Sequence, residues 1–215
     1  MLMKKGFTLS EVMVTLGMLG VLAAILIPTI TKAAPDAKKV MFKKSYYTTE
    51  QTISELINDD IFYPATATTT VGGVVYQRGF NYTTVTTEMN IPSMTAKFCY
   101  LFSQRLNTVG TVNCSTASAS NGTFTTSDGM DWTIRESSGF PVDNTKYEGY
   151  IVVDVNGSKK PNCWKNGTVS GLSFTNCAAS ISVPDQFLIS IRYDGKLQAD
   201  PSGAALLENP TDNAK

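Results

Sequence analysis

Twenty consecutive residues without a charge, Val12 to Thr31, constrain this 215-residue chain more than any other feature of it. As a helix rising 1.5 Å per residue they span about 30 Å, the thickness of a bilayer's hydrocarbon core. A short basic head, Lys4 and Lys5, precedes them, and Glu11 stands at their edge. A conventional secretory signal has a shorter apolar region, of about 7–15 residues, closed by a small-residue cleavage site. The best candidate for such a site, Thr31-Lys32-Ala33-Ala34-Pro35, sets a lysine and a proline in awkward places. The segment therefore reads as a retained membrane helix. A carboxylate in hydrocarbon is costly unless paired, so Glu11 is a functional candidate by default. Cleavage after Gly6 would supply a partner, because the new α-amino group of Phe7 lies one helical turn before Glu11. Within one chain that pair is close. Between staggered neighbouring helices it becomes an intermolecular ion pair, which fixes register more reliably than it adds stability. The alternative is Glu11 snorkelling at the membrane surface.

Composition removes several functions. The chain carries 18 basic and 18 acidic residues and no basic run interleaved with aromatics, which argues against a nucleic-acid partner. Histidine is absent, so Ser/His/Asp and Cys/His nucleophile arrangements and His-based zinc sites are excluded. The sequence is expected not to be an enzyme. Four cysteines remain, Cys99, Cys114, Cys163 and Cys177, and none stands in a C-x-x-C pair. An even count behind an export signal reads as two disulfides in an oxidising compartment. Three pairings are open, and Cys99–Cys114 with Cys163–Cys177 is favoured because each pair brackets a short, polar, turn-rich loop. Closing loops of about 15 residues contributes about 3 kcal/mol through chain entropy.

Lys5-Gly6-Phe7-Thr8-Leu9-Ser10-Glu11 resembles the prepilin cleavage and methylation motif of type IV pilins and type II secretion pseudopilins. Gly20-Val21-Leu22-Ala23-Ala24-Ile25-Leu26-Ile27-Pro28 resembles the second half of the same segment. The resemblance implies cleavage between Gly6 and Phe7 with N-methylation of Phe7. It also puts Glu11, the fifth residue of the cut chain, and Pro28 in the places of the family's glutamate and proline. Ser10 departs from the aliphatic residue usual there and leaves the processing site intact. Further implied are a prepilin peptidase, other pilin subunits in a homo- or hetero-polymer, and an inner-membrane platform with its ATPase. The expected location is the bacterial inner membrane as a single-pass precursor, then an extracellular or periplasmic filament. Gly17 and Gly20 lie on one helical face, where small residues let helices approach closely. Pro28 and Pro35 each remove a backbone hydrogen bond and should kink or loosen the helix. The resemblance, to filaments in which this region loses helicity on assembly, implies a soft spot between them.

Four regions follow: a leader at 1–6, a transmembrane and polymerisation helix at 7–30, an amphipathic continuation at 31–61, and a head at 62–215. Val40, Tyr47, Ile53, Leu56, Ile57 and Ile61 recur at mostly helical spacings and predict the buried stripe of the continuation. Lys38, Lys39, Lys43 and Lys44 form a basic collar, either a solvated helix face or a contact with acidic groups of a neighbouring subunit or with lipid headgroups. Tyr63-Pro64 ends the helix. Ala65–Glu88, rich in Thr, Gly and Val, predicts loop with one or two short strands. From Ile91 a short helix carries Met94, Phe98, Leu101, Phe102 and Leu106, with Gly110 as its stop. Met130–Arg135, Tyr150–Val155 and Phe187–Tyr193 are strands, with Asp194-Gly195 as a turn. The expected fold is α+β, a long helical stem packed by a small antiparallel sheet of three or four strands.

Asp154 and Asn156 project oxygens from one face of an extended chain near Gly157, which suits calcium. Some pseudopilins bind calcium in C-terminal loops, so the resemblance supports it, but a strand-ending Asx turn explains both residues without an ion. Asp128-Gly129-Met130-Asp131 reads as a hairpin turn rather than an acid–base pair. The N-x-S/T triplets, such as Asn81-Tyr82-Thr83, are expected by chance in a Thr-rich chain. The expected function is a structural pilus subunit. A type II secretion pseudopilin is the first alternative, and the second is a membrane-anchored adhesin that does not polymerise.

Overall fold

The computed structural model describes residues 8–33, 37–65, 68–71, 73–77, 79–81, 91, 96–114, 121–136, 140, 142–143, 145–166, 172 and 174–208. Gly6, Phe7, Pro35 and Met94 lie outside the described residues. Two compact units divide the chain, Met1–Ala37 and Lys38–Lys215. The first holds one helix, α1, over Leu9–Ala33, whose backbone stays helical through Pro28. Along α1, side chains are described from Leu9 to Ala24.

The second unit opens with α2, which spans Ala37–Ile57. Its buried residues are Phe42, Ser45, Thr49, Thr52, Ile53 and Leu56. This corrects the stripe expected from apolar spacing: Ile53 and Leu56 are buried as expected, whereas Val40, Tyr47 and Ile61 are exposed. The reason lies in the hydroxyls. Ser45 Oγ donates to the Phe42 carbonyl and Thr49 Oγ1 to the Ser45 carbonyl, both at 2.8 Å, so these polar groups are satisfied inside the helix. Small, internally bonded side chains can then face the core, and hydropathy alone does not reveal them. Phe42 fills the remaining space, its ring stacked 4.3 Å from that of Phe187.

Beyond α2 a hairpin pairs β1, Thr68–Val71, with β2, Val74–Gln77. A short helix α3 follows at Lys97–Gln104. It stops at Arg105, earlier than the expected Gly110, which instead sits in a strand at φ +73° where the pairing register shifts. A glycine in that left-handed region serves an edge bulge as readily as a helix stop. Lys97 at the start of α3 is 2 % exposed, and its Nζ donates to the Phe62 carbonyl at 2.6 Å. Burial pulls its ammonium down to about 8.

Six antiparallel strands make the main sheet: β3 Thr108–Asn113, β4 Asn121–Thr126, β5 Asp131–Glu136, β6 Gly149–Asp154, β7 Gln186–Ile191 and β8 Leu197–Ala199. Each pairs with its sequence neighbour, so the topology is a simple meander. The Asp128–Met130 and Asp194-Gly195 turns fall where expected, with Gly129 and Gly195 both at φ +83°. Period-two alternation sorts the side chains between two faces. On the inner face the rows Phe124–Trp132–Val153–Phe187 and Ile134–Ile151–Ile189 run across the strands and join Phe42, Leu56, Phe98 and Phe102 in one core. On the outer face Val152 and Leu188 are covered by Trp164, which stacks 4.5 Å from Phe174. The middle of the sheet is thus buried on both sides, which is why β6 and β7 read as nearly continuous apolar runs.

Both disulfides pair as expected from the bracketed loops, Cys99–Cys114 and Cys163–Cys177. The first ties α3 to the end of β3, and the second closes the segment that carries Trp164 over the outer face. A last helix, α4, covers Pro201–Leu207, capped by Asp200, whose carboxylate accepts from the Ser202 and Gly203 amides and from the Leu188 amide of β7. Phe42→Ala is expected to cost about 3–5 kcal/mol in urea denaturation, because a ring with no exposed surface is removed from a packed core. Tyr47→Ala, on the exposed face of the same helix, should stay within about 0.5 kcal/mol.

Candidate functional site

The apolar side chains described on α1 are uncovered. Leu9, Val12, Met13, Val14, Leu16, Met18, Leu19, Val21 and Leu22 are all exposed, and they point in every direction around the helix. A helix that is apolar all round belongs inside lipid or inside a larger assembly. Gly17 and Gly20 have open space where a Cβ would stand. Gly17, Met18, Val21 and Leu22 together line a shallow apolar notch. Among the described residues no helix is long and apolar enough to cross a membrane.

Glu11 forms a reciprocal cap with Thr8. The Thr8 amide and hydroxyl both donate to Glu11 Oε2 at 2.8 Å, while the Glu11 amide donates back to Thr8 Oγ1 at 3.3 Å. This capping box satisfies donors left open at the start of α1. Its signature, Thr8-Leu9-Ser10-Glu11, is legible as T-x-x-E before an apolar run, and a reading that treats Glu11 only as a buried charge misses it. The cap places the Glu11 carboxylate at the N-terminal edge of the helix.

The basic collar is divided in use. Lys38 Nζ donates to the Val183 carbonyl at 3.1 Å, and Lys44 pairs with Asp128 at 2.8 Å. Among the described residues Lys39 and Lys43 form no ion pair.

At the end of β6, Asp154 and Asn156 meet as an Asx turn, the Asn156 amide donating to Asp154 Oδ1 at 3.3 Å. Gln186 Nε2 donates to the other oxygen, Oδ2, at 3.1 Å. Asp131 stands directly opposite Asp154 in the β5–β6 register and accepts from Thr125 Oγ1 at 2.6 Å. Asp185, fully buried, accepts from the Asn162 and Cys163 amides at 2.8 and 2.7 Å. Burial, with the neighbouring Asp185 and Asp131 charges, pushes the Asp154 carboxyl up to about 6 from an ordinary 3.8. The folded chain therefore binds a proton that the unfolded chain has released between pH 4 and 6. Its contribution to stability falls as pH rises through that window. Asp154→Asn should flatten the difference in Tm between pH 4.5 and 7.5 and raise Tm at the higher pH.

Residues 1–27 match the family model of the prokaryotic N-terminal methylation motif. No curated protein and no solved structure matches the chain. The motif implies processing by a prepilin peptidase and use of pilin assembly machinery in general, and it fits a membrane-anchored precursor. It belongs to structural rather than enzymatic proteins. Thr8, Glu11, Gly17, Gly20 and most of α1 fall inside the matched residues, so the N-terminal segment carries the cleavage–methylation motif of type IV pilins and pseudopilins.

Proposed function

We propose that this protein is the structural subunit of a type IV pilus or pilus-like filament, cut after Gly6, methylated on Phe7 and assembled through α1. The observation that carries the proposal is the exposed apolar surface of α1 inside a methylation motif. In the precursor that surface rests in the inner-membrane bilayer. Cleavage frees the Phe7 amine while the helix stays attached, so the subunit remains anchored until the assembly platform and its ATPase extract it. Extraction exchanges lipid for the apolar helices of neighbouring subunits. Dispersion and close packing at Gly17 and Gly20 then take the place of lipid contacts. Glu11 biases the register, because its carboxylate is left unpaired in a greasy interior unless a neighbour's Phe7 amine stands beside it. A type II secretion pseudopilin would use the same chemistry. An anchored adhesin would use α1 only to stay in the membrane.

Calcium at Asp154 and Asn156 is the one cofactor this proposal admits. The Asn156 and Asn162 side-chain oxygens are buried without a hydrogen-bond partner, which leaves two neutral ligands, although both Asp154 oxygens already accept N–H groups. A calcium-dependent rise in Tm of the head supports it, and an unchanged melting curve removes it.

Glu11→Gln separates a subunit from an anchor. Glutamine keeps the side-chain oxygen that a capping box requires, so the helix start survives while the charge is lost. The expected outcome is a chain that inserts into the membrane normally and yields no filaments in sheared surface material. Filament yield equal to that of the unaltered chain would contradict polymerisation through Glu11.

A further inference from the structure

The head leaves a charged stripe on α2 that its own fold does not use. Lys39, Lys43 and Glu50 fall on one face of the helix, along a line that also carries Tyr46, which packs against the core. Lys39, Lys43 and Tyr46 are partly exposed, and Glu50 is exposed. Among the described residues Lys39, Lys43 and Glu50 form no ion pair, whereas Lys38 and Lys44, one position away on either side, are engaged by Val183 and Asp128. Lys39 and Lys43 are also an i, i+4 pair of like charge, an arrangement that weakens an isolated helix. Beside the stripe, Val40 and Tyr47 are large apolar side chains left 49 % and 55 % exposed. A local rule is thus broken with no compensation inside the fold, which points to a partner.

The chemistry of the stripe selects that partner. Positive charge lies towards the start of α2 and negative charge further along it, so two parallel copies in register would set Lys43 against Lys43 and Glu50 against Glu50. Advancing one copy by seven residues, about 10 Å along the axis, brings its Lys43 level with Glu50 of the other. Advancing it by eleven residues, about 16 Å, does the same for Lys39. We propose that this face of α2 docks a second copy of the same chain, advanced along the helix axis so that Lys43 of one subunit pairs with Glu50 of the next. The proposal rests on the polymerisation through α1 argued above and adds a second contact between subunits, on the head. Such a contact is heterologous and does not close, so it propagates a filament. Like-charge repulsion penalises the unstaggered alternative, and specificity arises from that penalty as much as from the pair itself. Val40 and Tyr47 supply apolar surface for the same contact to cover.

Charge reversal tests it in the full-length chain assembling in cells. Glu50→Lys and Lys43→Glu should each lower filament yield about tenfold or more, since like charges across an interface cost more than the 1.4 kcal/mol that a tenfold change represents. The double variant Lys43→Glu with Glu50→Lys should restore the yield. Co-expressed Lys43→Cys and Glu50→Cys chains should form a disulfide-linked dimer in assembled filaments, the four native cysteines being already paired with one another. Filaments indifferent to both reversals, or a double variant that stays defective although its head melts at the unaltered temperature, would overturn the contact alone. An unaltered chain that forms no filaments would overturn the polymerisation reading and the contact with it.

Discussion

The N-terminal helix carries an apolar surface that one copy of the chain leaves uncovered. The described side chains of α1 are exposed around the whole circumference of the helix. Burying a single leucine or valine side chain gains about 1.5–3 kcal/mol, so a helix of this kind exposed to water is strongly driven to find lipid or other helices. The cleavage–methylation motif at residues 1–27 lies on the first part of this same helix. The capping box adds a local condition. Thr8 and Glu11 define where α1 begins, and so hold the carboxylate at the start of the helix.

The head is built for rigidity. Its six-stranded meander is covered on one face by α2 and α3 and on the other by the Trp164 cluster, with one disulfide on each of the two covering layers. Burial on both faces gives the middle strands a core of their own, although the unit is only about 180 residues long. Small hydroxyl side chains on α2 fill the core side of that helix and leave its opposite side free. That division leaves Lys39, Lys43 and Glu50 available to a neighbour.

Strong periodicity and turn chemistry made the middle of the fold legible. β5, β6 and β7 fall within a residue or two of where alternation and the Asp-Gly turns place them, and the disulfides follow from the loops they bracket. Less was legible at the edges. β3, β4 and β8 are short, and the described residues of β3 are mostly exposed, so they carry little apolar alternation. α4 depends on an Asp-Pro start, Asp200-Pro201, rather than on an apolar stripe. On α2 the buried face was misassigned because hydroxyls bonded to the helix backbone count as polar in a hydropathy reading. At the N-terminus the charge problem of Glu11 is legible from the apolar run, while its bond to Thr8 is legible only from the T-x-x-E spacing.

The account stands or falls on what happens between Gly6 and Phe7. Mass spectrometry of the N-terminal peptide of the mature protein tests that directly. The account predicts a chain that begins at Phe7 and carries one added methyl group on its α-amine. A chain that still begins at Met1, or one that begins near Ala34, would contradict it.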